Sequence, residues 1–355
     1  MKRELAVSLG GRLMRCKGTW VGLKLAAISC AIWASIAPGV AVAGATVDAV
    51  RTRGELLCGL RGDTIGFAHR ETTGRFTGFD VDMCRVIAAA LLGDADKVKF
   101  VPLEPENRFD ALKNGQVDIL AAGTTFSLGR DVSFGFDFPA IYFYDTQAFM
   151  ALRKEGRRSA REMKGATVCV QSKTTSDRHA REWSTINKMD LKFLEFSSLP
   201  ELRKAFFEKK CDIYTADRSA VYATRLAYAP VPQDYQVFPE AIADEPHSFV
   251  VRDVDRRFSE IVRWSFNAIV TADKYDVDDM LKSDNPILRE LLGVKPGLGA
   301  KLGLDEKWAY SIVKQVGNYS EIYDRNIGSG SALKIPRAYN SQASVGGMLY
   351  AFPLR

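Results

Sequence analysis

From residue 55 onward, apolar positions alternate between two rhythms. Short apolar runs of strand length occupy residues 55–60, 98–103 and 117–121, the first flanked by Gly54 and Gly62. Between them, residues 80–92 carry Val81, Cys84, Ile87 and Leu91 at helical spacing. Residues 108–114 read as a short helix stopped by Gly115. This β-α-β-α-β order predicts a mainly parallel sheet with helices on both faces. The pattern then repeats: a strand at 166–171, a helix at 174–184 opening on two hydroxyls, a strand at 191–196, a helix at 199–209 and a strand at 211–215. Two α/β units of roughly 100 residues suit ordinary domain sizes. Residues 145–153 and 238–251 read as extended crossings between the units, so a two-stranded hinge beside a cleft is expected. The division expected is one lobe from 46–149 with 242–295, a second from 150–241, and a tail from 296–355. Residues 255–292 read as helices, with 256–270 strongly amphipathic. The tail is rich in glycine and aromatics, among them Trp308, Tyr319 and Tyr323. That is not the composition of a disordered segment, so the tail should pack on the body.

Composition adds a compartment. Basic residues end near Lys24, residues 25–37 are almost entirely apolar, Pro38-Gly39 breaks the run, and Ala41-Val42-Ala43 offers a cleavage site. The apolar run is shorter than the ~20 residues of a membrane span, so residues 1–43 read as a cleaved signal peptide. Cys30 after Ala27-Ile28-Ser29 is a poor lipoprotein site. Six basic residues and one acid, Glu4, lie in this leader, so most of the formal charge of +6 belongs to it. With no basic run and interleaved aromatics later, nucleic acid is not an expected partner. Four cysteines remain after Cys16 and Cys30: Cys58, Cys84, Cys169 and Cys211. In an oxidising compartment they suggest two disulfides, with three pairings open. They form neither CxxC nor a Cys/His cluster, and the chain has 3 histidines, so no metal or cofactor is expected.

In open α/β sheets, ligands bind at the carboxyl ends of strands beside helix N-termini. The segments that follow the predicted strands are Arg61-Gly62-Asp63-Thr64, Ala122-Gly123-Thr124-Thr125, Ser172-Lys173-Thr174-Thr175 and Ala216-Asp217-Arg218-Ser219, with Arg130 a short loop beyond the second. Those groups suit a zwitterion. Arg130 could hold a carboxylate bidentately, helped by Thr125 and Thr175, and Asp217 could accept from an ammonium. The competing reading makes each strand-end Thr or Asp a helix cap or turn residue.

Several segments resemble the polar amino-acid-binding proteins of ABC importers. Thr77-Gly78-Phe79-Asp80-Val81-Asp82 resembles their G-[FY]-D-[IV]-D segment, Gly115-Gln116-Val117-Asp118-Ile119 their G-x-x-D strand, and Thr125 to Arg130 their T-x-x-x-x-R segment. Cys211-Asp212-Ile213-Tyr214-Thr215-Ala216-Asp217 resembles the acid motif of the second lobe. Trp308 to Tyr310, Val316-Gly317-Asn318-Tyr319 and Gly328-Ser329-Gly330-Ser331 are similar to the longer, general L-amino-acid-binding subgroup. The resemblance implies a type II periplasmic-binding-protein fold in the periplasm, and a monomer is the expectation. It also implies two partners, a free L-amino acid and a membrane-embedded ABC permease. By it, Thr125 and Arg130 bind the α-carboxylate with help from Thr175, and Asp217 binds the α-ammonium. Arg61 faces the ligand side chain, as in glutamate- and aspartate-binding members, and Asn107-Arg108 is similar to a segment of those proteins. The alternative for Arg108 is a structural ion pair. Lys173 stands where the family usually has glycine, and Gly123 where many members carry a hydroxyl. The candidate ligand-binding set is thus Arg61, Arg108, Thr125, Arg130, Lys173, Thr174, Thr175 and Asp217, with an acidic amino acid favoured over a broad set. The resemblance pairs Cys58 with Cys84 and Cys169 with Cys211. Two other functions use the same fold: a dehydratase, for which Glu245, His247 and Asp217 are the evident acids and bases, and a sensor input domain.

Overall fold

Helix α1 (Ala45–Arg53) opens the described part of the chain, which in this computed structural model comprises residues 44–275, 284–293 and 298–353. The expected leader lies outside it. The first sheet starts with β1 (Leu56–Leu60), and a small antiparallel sheet of β2 (Asp63–Thr64), β3 (Ala68–Arg70) and β4 (Phe76–Thr77) follows. Then come α2 (Phe79–Leu92), β5 (Val98–Pro102), α3 (Arg108–Lys113), β6 (Ile119–Leu120), α4 (Leu128–Phe134) and β7 (Phe136–Asp137). Strand β1 lies between β5 and β6, parallel to both.

The 12-residue strand β8 (Ile141–Leu152) carries the chain out of this sheet and into the second. There follow β9 (Thr167–Gln171), α5 (Thr175–Ile186), β10 (Lys192–Phe196), α6 (Leu199–Phe207), β11 (Ile213–Asp217), α7 (Arg218–Tyr228) and β12 (Tyr235–Val237). The second sheet runs β10-β9-β11-β8-β12. Its first three strands are parallel, and β8 is antiparallel to β11 and β12. The chain returns through β13 (Asp244–Ser248), antiparallel to the first half of β8, and β14 (Val250–Arg252), which enters the first sheet between β6 and β7. The expectation of mainly parallel sheets therefore holds for the strands joined by helices. Crossing strands run the other way because each is entered from the opposite sheet.

Side chains of the second sheet alternate faces, as a period of two requires. Phe149, Val168, Val170 and Ile213 enter one core with Trp183. Met150, Cys169 and Tyr214 enter the other with Phe206. The remaining helices are α8 (Arg256–Lys274), α9 (Pro286–Leu291), α10 (Leu298–Leu302), α11 (Trp308–Val316) and α12 (Tyr319–Asn326). The tail packs on the body. Trp308, Ile312, Tyr319 and Tyr323 share a core with α2 and α8. This contact explains why α2 is buried along nearly its whole length and is apolar on most sides. At the crossing, the Tyr319 hydroxyl donates to the Tyr142 carbonyl (3.0 Å). The Asn340 amide pairs with both backbone groups of Tyr144, at 2.8 and 2.9 Å. Pro246, opposite Tyr144 in β13, can therefore sit in a paired strand without an N–H to give.

The disulfides are Cys58–Cys84, tying β1 to α2, and Cys169–Cys211, tying β9 to the segment before β11. Their Cα separations of 6.3 and 5.7 Å suit the bond. Both match the pairing implied by the resemblance.

Candidate functional site

The carboxyl ends of β1, β6, β9 and β11 face one another across the space between the two sheets, as the strand-end reasoning requires. Five of the eight candidates line that space: Arg61, Arg108, Thr174, Thr175 and Asp217. Arg61 follows β1 and reaches across to the second sheet, where its Nη2 donates to Gln171 Oε1 at 2.8 Å. Gln171 ends β9, is buried, and also donates to Glu104 at 3.3 Å.

Thr125 and Arg130 form a second layer beneath this wall. Arg130 lies on α4, a helix the sequence reading missed, and its Nη1 donates to the Thr125 carbonyl at 2.7 Å. Burial lowers the Arg130 pKa to about 10, although the Glu245 charge opposes the shift. The Thr125 and Thr175 hydroxyls lie 3.1 Å apart, and each donates to one carboxylate oxygen of Glu245, the Thr175 bond measuring 3.1 Å. The other oxygen of Glu245 is 3.0 Å from His179 Nδ1. Glu245 is fully buried on β13, so a carboxylate from the crossing strand already contacts the hydroxyls that sequence reasoning assigned to a ligand carboxylate.

The capping alternative is decided residue by residue. Thr174 is the N-cap of α5: its hydroxyl accepts from Asp177 N (3.1 Å) and donates to the Gln171 carbonyl (2.7 Å). Asp217 holds the N-cap position of α7 but makes no cap bond. Asp145 on β8 takes that role, accepting from the Ser219 backbone N–H at 3.1 Å and hydroxyl at 2.5 Å. The Asp217 carboxylate is thereby left to the cleft.

Lys173 is placed elsewhere. Its side chain is exposed and outside the cleft lining, and its backbone is left-handed at φ 61°. That conformation favours glycine and accounts for the glycine common at this position in the resembled family. Lys173→Gly should accordingly stabilise the fold by about 1 kcal/mol, read from the denaturation midpoint. A lower midpoint would show that the ammonium holds an interaction stronger than the backbone relief.

Charge concentrates around Asp217. His247 on β13 is 2% exposed, and its Nε2 lies 3.2 Å from Asp217 Oδ2, within ion-pair reach but not aligned as a hydrogen bond. Burial disfavours the imidazolium, yet Asp217, with Asp145 and Glu245 beyond, outweighs it and raises the His247 pKa to about 9. Burial would raise the Asp217 pKa, but His247, Arg61 and Arg108 together hold it below the ordinary value. Arg108 is 4% exposed; its one hydrogen bond is a long one to the Ala122 carbonyl (3.4 Å), and its Nε has no partner. Burial, then repulsion from Arg130 and Arg61, pushes its pKa well down. The structural ion pair offered as the alternative for Arg108 is not formed. Asp80, the second residue of α2, has an unpartnered Oδ1, and burial raises its pKa to about 7 against the pull of His247. Gly78 makes this approach possible: at φ 132°, an added Cβ would lie 2.2 Å from the Phe67 carbonyl oxygen.

Asp80 and Gln171 are cleft residues that sequence reasoning did not propose. Asp80 stood inside a segment recognised only as a family marker, and nothing in the pattern of Gln171 set it apart from its strand. Glu245 and His247 were noticed as acid and base candidates. The structure places His247 in the cleft wall and Glu245 behind it. Among the described residues no cluster could hold a metal ion, and no helix is long and apolar enough to cross a membrane.

Comparison with known proteins gives this arrangement a lineage. A periplasmic binding protein from Brucella ovis, solved with glutathione bound, is 43% identical; the match covers 87% of this chain and 99% of that one, with a TM-score of 0.85. The general L-amino acid-binding periplasmic protein AapJ of Rhizobium johnstonii is 38% identical over 92% of this chain and 98% of its own. The glutamate/glutamine/aspartate/asparagine-binding protein BztA of Rhodobacter capsulatus is 38% identical over 92% and 99%. These relatives are named as binding proteins and not as enzymes. A family model matches residues 56–293, from β1 past α9, and this chain belongs to the bacterial extracellular solute-binding proteins, family 3.

Proposed function

We propose that this chain is the periplasmic receptor of an ABC importer, and that it captures an acidic L-amino acid, glutamate or aspartate, for a membrane-embedded permease. The chain works as a monomer, exported by its leader. Residues 46–149 with 242–295 form one lobe and 150–241 the other, and they close on the ligand about the β8–β13 crossing. Closure selects the liganded state by differential affinity. Arg130 takes the α-carboxylate with Thr125 and Thr175, whose hydroxyl protons turn from Glu245 to the ligand, and Asp217 takes the α-ammonium. Arg61 and Arg108 face the side-chain carboxylate.

One observation carries the acidic preference. Arg108 is a buried guanidinium with no carboxylate partner of its own, beside a second arginine in the same wall. Two such cations favour a ligand with a second carboxylate, and they reject cationic amino acids by repulsion. The names of the relatives favour a broader reading as well: BztA is named for four acidic and amide amino acids, AapJ for L-amino acids in general. The glutathione of the Brucella structure carries one ammonium and two carboxylates, the same set of charges as glutamate.

Isothermal titration of the protein from Gly44 onward will separate these readings. The ligands are glutamate, aspartate, glutamine, histidine, leucine and glutathione. Tight binding confined to the acidic ligands is expected, and equal heats across the series would make it a general receptor. Silence from the whole series would refute the amino-acid reading.

A further inference from the structure

Among the described residues of the cleft wall, His247 is the cation that can give up its charge near neutral pH, because guanidinium groups in general stay charged. The ring is enclosed: it lies 5.7 Å from the Phe143 ring, and a Cβ built on Gly123 would be 3.7 Å from its Cε1. Nδ1 has no hydrogen-bond partner, and Nε2 meets Asp217 Oδ2 at 3.2 Å as an ion pair. The charged groups around the ring come from every neighbouring element. Asp217 faces it from β11, Asp145 from β8, Glu245 from β13 itself and Asp80 from α2, with Arg61 and Arg108 also acting on Asp217.

An ammonium that came to Asp217 would meet a cation already there. Two unit charges about 4 Å apart at a protein-like effective dielectric repel enough to change a proton affinity on the order of a thousandfold. The cheapest relief is deprotonation of the imidazolium, since the arginines keep their charge and the carboxylates are needed. We propose that His247 is the counter-ion of Asp217, and that capture of an α-amino acid displaces it by driving its proton into solvent. The inference rests on Asp217 as the ammonium acceptor. It adds a specificity element to that site: His247 penalises ligands whose ammonium is not matched by a carboxylate, and it couples ligand affinity to pH. With its pKa raised to about 9, the imidazole carries its proton at neutral pH before any ligand arrives. Because binding releases a proton, affinity rises with pH, by up to roughly tenfold per unit while His247 is protonated in the free protein and neutral in the complex.

The test is calorimetric titration with glutamate at about pH 8 in phosphate and in Tris, whose ionisation heats differ, so that the difference in binding heat counts protons released. Release approaching one proton per glutamate is expected for the native chain, and near none for His247→Asn. Glutarate, a dicarboxylate without an ammonium, should bind without release. Asp80 is the rival source, since an incoming cation also favours its ionisation. Asp80→Asn should therefore keep the release, and its loss there would assign the proton to Asp80 and overturn the proposal. Equal heats in both buffers with the native chain would also overturn it, while leaving the amino-acid reading intact. Failure of every amino acid to bind would remove both. If His247→Asn does not fold, the imidazole resonances of the native chain decide: glutamate must move His247 from the protonated to the neutral position, and an unmoved resonance refutes the displacement.

Discussion

Replacing Arg108 with methionine will weaken glutamate binding about a hundredfold and raise the melting temperature of the ligand-free protein by several degrees. The two halves have one cause. Arg108 is a buried cation whose Nε has no partner and whose nearest charges include two more arginines. Methionine is long and flexible enough to fill the space over the Phe109 ring, where the guanidinium carbon now sits 5.0 Å from the centroid. Removing an uncompensated buried charge stabilises a fold by about 1–4 kcal/mol when the replacement packs. The same change takes away hydrogen bonds to a charged group, which contribute roughly 1.5–3 kcal/mol each. Calorimetry and thermal melts on one preparation read both effects. A variant that loses stability along with affinity would make Arg108 a structural residue, and one that keeps its affinity would place it outside the ligand contact.

Ligand-free stability will fall as the pH rises from about 5 to about 9, the reverse of a protein held by paired surface carboxylates. His247 has a folded pKa of about 9 against an ordinary 6.5. Its contribution is complete below the lower value and is lost as pH passes the higher. Taken alone it amounts to on the order of 3 kcal/mol. Asp80 and Asp145 act in the same direction. Burial raises them from 3.8 to about 7 and about 6, so the fold prefers their neutral forms and loses that preference as they ionise. Asp217 opposes only at the acid end, because its pKa is lowered and its contribution disappears as pH falls through that depressed value. Thermal melts across this range should show the decline, and His247→Asn should flatten it above about pH 7. A native curve that is level or rising to pH 9 would mean that the buried ion pair does not form.

The apolar rhythm made the two sheets legible because their central strands are buried on both faces and most of their helices carry an apolar stripe. It failed where an element is held by something distant. Helix α1 has no side-chain N-cap of its own. The backbone N–H groups of Thr46 and Val47 donate to Asp255, more than two hundred residues away, and the same carboxylate caps α8 through Phe258 N. Strands β2, β3 and β4 are two or three residues long and partly polar, so backbone pairing alone defines them. Helix α4 follows a strand of only two residues and buries Arg130 instead of an apolar stripe.

At the cleft, the residues beyond the strand ends could be named because topology alone brings them together. What could not be read was how they pair. The fully buried state of Glu245, the freedom of Asp217 from capping, and the raised pKa of Asp80 all depend on segments far apart in the chain.

The Asn340 amide that pairs with Tyr144 has a mechanical consequence. It fastens the first part of β8 to the tail, and the tail is seated on α2 and α8. A few residues further on, the Gln147 side chain is anchored in the second lobe, through the Ser176 carbonyl and the Thr215 hydroxyl at 2.8 Å each. Any rotation of one sheet relative to the other must therefore be absorbed as torsion between those two anchors, at Asp145 and Thr146, and at their partners Glu245 and Asp244. The torsion axis then passes beside two carboxylates, the half-buried Asp145 and the fully buried Glu245. Groups on an axis sweep the least distance, so in the closure proposed above these two keep their surroundings, and the tail, through Asn340, stiffens the joint.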